Sequence, residues 1–78
     1  MSRYFFNVYD DIIAVDEEGT ELPNLAAARL QALHGARDLI CEQVRHGYFV
    51  LSHWIEVKDE QDEQVLTLTF REAVDIKQ

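Results

Sequence analysis

Two acidic clusters are the first residues with the types and spacing to do chemistry. Asp16, Glu17, Glu18 and Glu21 surround Gly19, and Asp59, Glu60, Asp62 and Glu63 lie together further along. Carboxylate oxygens hold hard cations such as calcium. A calcium loop places its ligands at alternate positions, with glycine sixth and glutamate twelfth. Counted from Asp16, glycine comes fourth and the twelfth residue is Ala27, and the second cluster contains no glycine. Both clusters therefore read as solvated turns that keep the chain soluble. A metal or small-ligand module at the Asp16–Glu21 loop is the alternative.

Bases and nucleophiles are sparse. His34, His46 and His53 never pair at the three- or four-residue spacing that puts two ligands on one helical face. Cys41 is the only cysteine, which rules out an internal disulfide. Arg37 and Arg45 stand four residues to either side and favour its thiolate, but no histidine accompanies it in sequence. The three glycines, at 19, 35 and 47, form no phosphate-cradling loop, nucleophile elbow or dinucleotide fingerprint. The expectation is a non-enzymatic protein with no catalytic residue, no cofactor and no metal.

Charge narrows the partners. Fifteen Asp+Glu oppose seven Lys+Arg, a formal net charge of −8. Nucleic-acid binding scales with the phosphates that Lys and Arg neutralise, and here the basic residues are scattered. Direct nucleic-acid or membrane binding is not expected. No apolar run approaches the roughly 18 residues of a membrane span, and the opening residues lack a signal-peptide pattern. With a single cysteine, this points to a reduced, cytoplasmic setting.

The 78 residues fit one domain, 47% apolar. Alternation predicts strands at about 3–9, 12–15, 52–58 and 65–70. Asp10-Asp11 and the acidic stretches supply the turns. A helix is predicted over about 24–46, with Asn24 as N-cap and Gly47 just past its end. Leu25, Ala28, Ala32, Ala36, Leu39 and Ile40 share one stripe of it, with Leu33 and Val44 at the edge. Gly35 falls mid-helix, where it marks either close packing or a bend. The order β-β-α-β-β predicts an α+β two-layer fold, a four-stranded antiparallel sheet with one long helix on one face. Strand order 2-1-3-4 is favoured over 2-1-4-3 because it keeps every neighbour antiparallel.

One helix covers one sheet face. Alternation assigns Tyr4, Phe6, Val8, Ile55, Val57, Leu66, Leu68 and Phe70 to that side. The opposite face then shows Phe5, Tyr9, Trp54, Val65, Thr67 and Thr69, with Asn7, Glu56 and Lys58 among them. Solvated faces normally alternate toward polar residues. Three aromatics there leave these readings: the tail from 71 to 78 folds over them, they are spaced apart, or they form a homodimer or partner contact surface. Arg29 projects near the helical stripe and needs acceptors for its fork of donors. Asp16, Glu18 and Glu21 are assigned as its partners in a structural clamp, with an anion site as the alternative.

Tyr4-Phe5-Phe6-Asn7-Val8, Asp16-Glu17-Glu18-Gly19-Thr20-Glu21-Leu22-Pro23 and Ala27-Ala28-Arg29 follow one pattern. It reads Y-[YF]-F-[HN]-V, then D-x-E-G-x-E-L-P-[DN], then A-A-R. In this the chain resembles a family of short α-proteobacterial proteins grouped as a domain of unknown function. Ile55-Glu56-Val57-Lys58-Asp59 and Leu68-Thr69-Phe70-Arg71-Glu72-Ala73 resemble its second half. A glycine that marks the family's second hairpin is missing from Asp59-Glu60-Gln61-Asp62, which implies a longer or looser turn. The resemblance implies a stand-alone bacterial cytoplasmic domain and supplies no catalytic residue.

The expected function is that of a small interaction or regulatory accessory protein. It would act through its open sheet face on a protein partner, or as a homo-oligomer such as a homodimer. The alternative is an acidic nucleic-acid mimic that occupies a basic protein partner.

Overall fold

The computed structural model describes residues 1–77; Gln78, the last residue of the expected tail, lies outside them. The elements run β1 (Ser2–Tyr9), β2 (Ile13–Ala14), β3 (Thr20–Leu22), α1 (Leu25–Arg45), β4 (Trp54–Lys58), β5 (Gln64–Thr69) and α2 (Phe70–Ala73). The fold is α+β, an antiparallel sheet with one long helix. The sheet order is β2-β1-β4-β5, with β3 also paired to β1. This is the order that keeps all neighbours antiparallel.

The sheet has five strands where the sequence predicts four. The return arm of the first hairpin is broken in two: Ile13 and Ala14 pair with Tyr9 and Val8, and Thr20–Leu22 pair with Tyr4–Ser2. Between the two pieces, five arm residues (15–19) lie opposite three of β1 (5–7). Alternation cannot reveal β3, because Thr20, Glu21 and Leu22 are too few to set a period.

Asn24 caps α1, its side-chain oxygen accepting from the Ala27 N–H at 2.9 Å. The helix ends at the His46 cap, and Gly47 takes the left-handed conformation that follows. Ala28, Ala32, Ala36 and Ile40 are buried against Ile55, Val57, Leu68 and Phe70. Small side chains let the helix axis approach the sheet closely. Leu25 and Val44, expected in or beside the stripe, are exposed. Gln43 is buried in their stead. Its amide oxygen accepts from the Val50 N–H at 3.0 Å, and its backbone oxygen accepts from the Tyr48 N–H, which ties the loop down.

The second hairpin closes without glycine. Asp59 Oδ1 accepts from the N–H groups of Gln61 and Glu63, and Asp62 adopts φ +62°. Aspartate tolerates that left-handed position better than most residues. A bulge then shifts the pairing from Val57–Leu66 to Lys58–Gln64 and leaves Val65 as the extra residue. The bulge turns Val65 against the core, which corrects its expected place on the open face.

The tail does not continue as strand. Thr69 and Glu72 form a capping box, the Thr69 N–H donating to Glu72 Oε1 at 3.0 Å and the Glu72 N–H to Thr69 Oγ1. Phe70 and Ala73 of α2 join the same core cluster as the alanines of α1. Arg37 Nε donates to the Ala73 carbonyl at 2.7 Å. Both helices therefore pack on one side of the sheet.

At Gly35 an added Cβ would lie 3.6 Å from Ile55 Cδ1, an ordinary contact. Gly35→Ala should stabilise the protein by about 0.5–1 kcal/mol through helix propensity, and thermal unfolding should show Tm rising by roughly 2–8 °C. A fall in Tm would mean that the helix needs the missing side chain for its approach to β4.

Candidate functional site

The sheet face turned away from the helices is built on three cross-strand pairs. β1 and β4 place Phe5 opposite Lys58, Asn7 opposite Glu56, and Tyr9 opposite Trp54. β5 adds Thr67 opposite Glu56 and Thr69 opposite Trp54. The expected surface residues Phe5, Tyr9, Trp54, Thr67 and Thr69 thus fall on one face. Tyr9 and Trp54 stack with ring centroids 5.0 Å apart and planes 4° from parallel. Trp54 keeps 38% of its surface exposed, while Phe5 and Tyr9 are half-buried.

Beside the rings, on the same face, runs a polar network. Glu56 Oε1 accepts from Tyr9 Oη and from Asn7 Nδ2, each at 3.2 Å. Asn7 is buried, and its Oδ1 accepts from the Asp16 N–H at 2.9 Å. Asp16 Oδ2 in turn accepts from the Phe6 N–H at 3.1 Å, and Oδ1 from the N–H groups of Glu18 and Gly19. Asp16 thus bonds the β1 N–H that the break in the return arm leaves without a strand partner. Burial pushes its carboxyl pKa up, but the N–H groups of Gly19, Phe6 and Glu18 and the nearby Arg3 outweigh it and hold the group below its usual value. Among the described residues, no buried side-chain polar atom lacks a partner.

Arg3, not Arg29, clamps the acidic loop. Its guanidinium donates to the Glu18 carbonyl at 2.7 Å and to Glu21 Oε1 at 3.2 Å. Arg29 is exposed on α1 and, among the described residues, forms no ion pair with Asp16, Glu18 or Glu21. Arg3 lies two residues before Phe5, on the same side of β1, so its reach to the loop follows from strand period. Gly19 must stay bare for this contact. It sits at φ +73°, and an added Cβ would meet Arg3 Cγ at 2.8 Å and Phe5 Cε1 at 2.9 Å.

A shallow cleft of about 380 Å³ opens on this face, lined by Phe5, Asn7, Tyr9, Asp16, Lys58 and the acidic turn from Asp59. Lys58 is held by Asp62 at 3.3 Å, a bond that raises its pKa. Arg3 is the residue of this site that sequence reasoning passed over; Asn7 and Glu56 fall on the expected face, but the bond between them was not foreseen. Their signal was a polar residue inside an aromatic strand opposite a glutamate.

The remaining reactive groups lie apart. His53 is packed at the end of β4, edge-on to Phe70, with Nδ1 3.2 Å from Gln43 Nε2 and Nε2 3.7 Å from Asp11. Gln43 Oε1 already accepts from Val50, so its amide nitrogen donates to Nδ1 and the neutral ring carries its proton on Nε2. His46 bonds Glu42 at the surface, and His34 and Cys41 are exposed on α1. Val44, Tyr48 and Phe49 form a second exposed apolar patch at the helix end. Among the described residues, no three His, Cys, Asp or Glu side chains gather as metal ligands. No helix among them is long and apolar enough to cross a membrane.

Asp16→Ala leaves three N–H groups without their acceptor and should cost about 1–3 kcal/mol. Because the folded pKa is depressed, this stability is present above the unfolded pKa near 4 and disappears as pH falls through the folded value. Denaturant titrations should therefore show the gap between wild type and Asp16→Ala narrowing below about pH 4. Gly19→Ala should be destabilised by at least about 1 kcal/mol, from the left-handed backbone alone.

No curated protein and no solved structure matches the chain. A family model described as a domain of unknown function (DUF6894) matches residues 3–71, nearly the whole chain. The chain belongs to that family.

Proposed function

We propose that the protein is a non-catalytic interaction module that docks a protein partner on its open sheet face. The observation behind this reading is the parallel Tyr9–Trp54 stack on the side of the sheet away from both helices. A large ring that remains solvent-accessible in a sheet is an anchor for a contact, and aromatics dominate the energetics of such surfaces. Rotation of the two rings is restricted by their mutual packing and by the Tyr9 bond to Glu56. Little side-chain entropy is then lost on docking.

A separate protein fits this face better than a second copy. Each copy carries a net charge of −8, and the acidic turn borders the open face, so two copies repel as they approach. The patch at Val44, Tyr48 and Phe49 lacks the regular register that fixes the open face, and it serves as the comparison site.

The test is a photo-reactive residue placed at Thr67, at Tyr48 or at His34 in separate variants within the native cell. Thr67 should give a covalent protein adduct that Trp54→Ser removes, and His34 none. Adducts from Tyr48 alone would move docking to the loop patch and end this reading. Adducts between two copies would assign the face to self-association.

A further inference from the structure

We infer that Trp54, Tyr9 and Glu56 form a recognition site for an arginine side chain carried by a basic segment of the partner. This rests on the docking role of the open face and names the chemistry of its occupant. The open face presents two things side by side: an indole ring with Tyr9 on one flank, and a carboxylate two residues along the same strand. In register, the neighbour on the other flank of Trp54 is Thr69, a short side chain. A planar guanidinium fits over an indole face and at the same time offers N–H groups at its rim.

Glu56 is held ready for that second contact. Its Oε1 accepts from Asn7 and Tyr9, and a carboxylate has further lone pairs to offer. The two bonds set the carboxylate plane before any partner arrives. The face's own cations are already engaged, Arg3 with Glu18 and Glu21, and Lys58 with Asp62 at the end of β4 away from Trp54. Asp59, Glu60 and Asp16 border the adjoining cleft. The site is thus an aromatic surface in a negative field, complementary to a cationic segment. Arginine is preferred over lysine because a point-like ammonium cannot stack and fork at once.

The chain's single tryptophan makes the test direct. The intact protein is titrated with a dye-labelled peptide of alternating glycine and arginine, and with the lysine counterpart of equal length, at about 0.15 M salt. Anisotropy of the dye reads binding, and Trp54 emission reports contact with the ring. The arginine peptide should saturate, change Trp54 emission and bind about fivefold more tightly than the lysine peptide. Glu56→Gln and Trp54→Ser should each weaken it severalfold. Thr67→Lys is the variant least able to disturb folding, since Thr67 is exposed; it sets a cation opposite Glu56 and should abolish the arginine preference.

Equal affinity for the two peptides would overturn the inference, as would binding without a Trp54 response. Loss of binding only when Asp59, Glu60, Asp62 and Glu63 are neutralised would also overturn it, by placing the contact on the acidic turn. A partner adduct at Thr67 combined with no arginine preference removes this inference and leaves the docking role standing. Absence of both removes the two together.

Discussion

One carboxylate holds the return arm of the first hairpin against the central strand. Where Val15–Gly19 bulges away from β1, Asp16 reaches back to the Phe6 N–H and gathers the N–H groups of Glu18 and Gly19. A strand edge with an unsatisfied donor in the part-buried middle of the sheet would be costly. Here a side chain does the work of the missing backbone carbonyl. The same residue's N–H donates to Asn7, so the loop and the open face share one hydrogen-bonded path that ends at Glu56 and Tyr9. Cooperative polar networks of this kind are stable only when every member is satisfied.

That path explains why the acidic loop lies at the edge of the open face. Arg3 completes the enclosure by binding the loop's carbonyl and Glu21, and Gly19 leaves room for its stem. The result is a sheet with two unlike sides. On one, alanines of α1 and the short α2 seal Val57, Leu68 and Phe70 completely. On the other, an aromatic pair is held by the Tyr9 bond to the half-buried Glu56, which fixes its position without burying it. An asymmetric domain of this size has its core on one side only, and the other side is free to specialise.

Much of this was legible in the sequence. The α1 caps, Asn24 and the glycine after His46, follow from helix-end chemistry alone. Period-two alternation placed Tyr9, Trp54, Thr67 and Thr69 together, because side-chain direction in a strand depends only on position parity. It fails at Val65, where a bulge resets the parity, and at Phe70, where the expected strand gives way to a helix opened by a capping box. Its place near the helical stripe points to Arg29 as the clamp. Arg3 took the role because it lies beside the loop across the strand pair.

The sequence by itself determined the long helix with its caps, the four main strands and most of the assignment to the two sheet faces, since each is set by local periodicity and helix-end chemistry. Tertiary structure alone decided which arginine meets the acidic loop, which buried amides hold the arm and the helix end, and that Tyr9 and Trp54 lie parallel. Those outcomes depend on distances across paired strands and loops, from Arg3 to Glu18, 15 positions apart, up to Asn7 and Glu56, 49 apart. Such distances emerge only when the strands have paired, since no local rule encodes them.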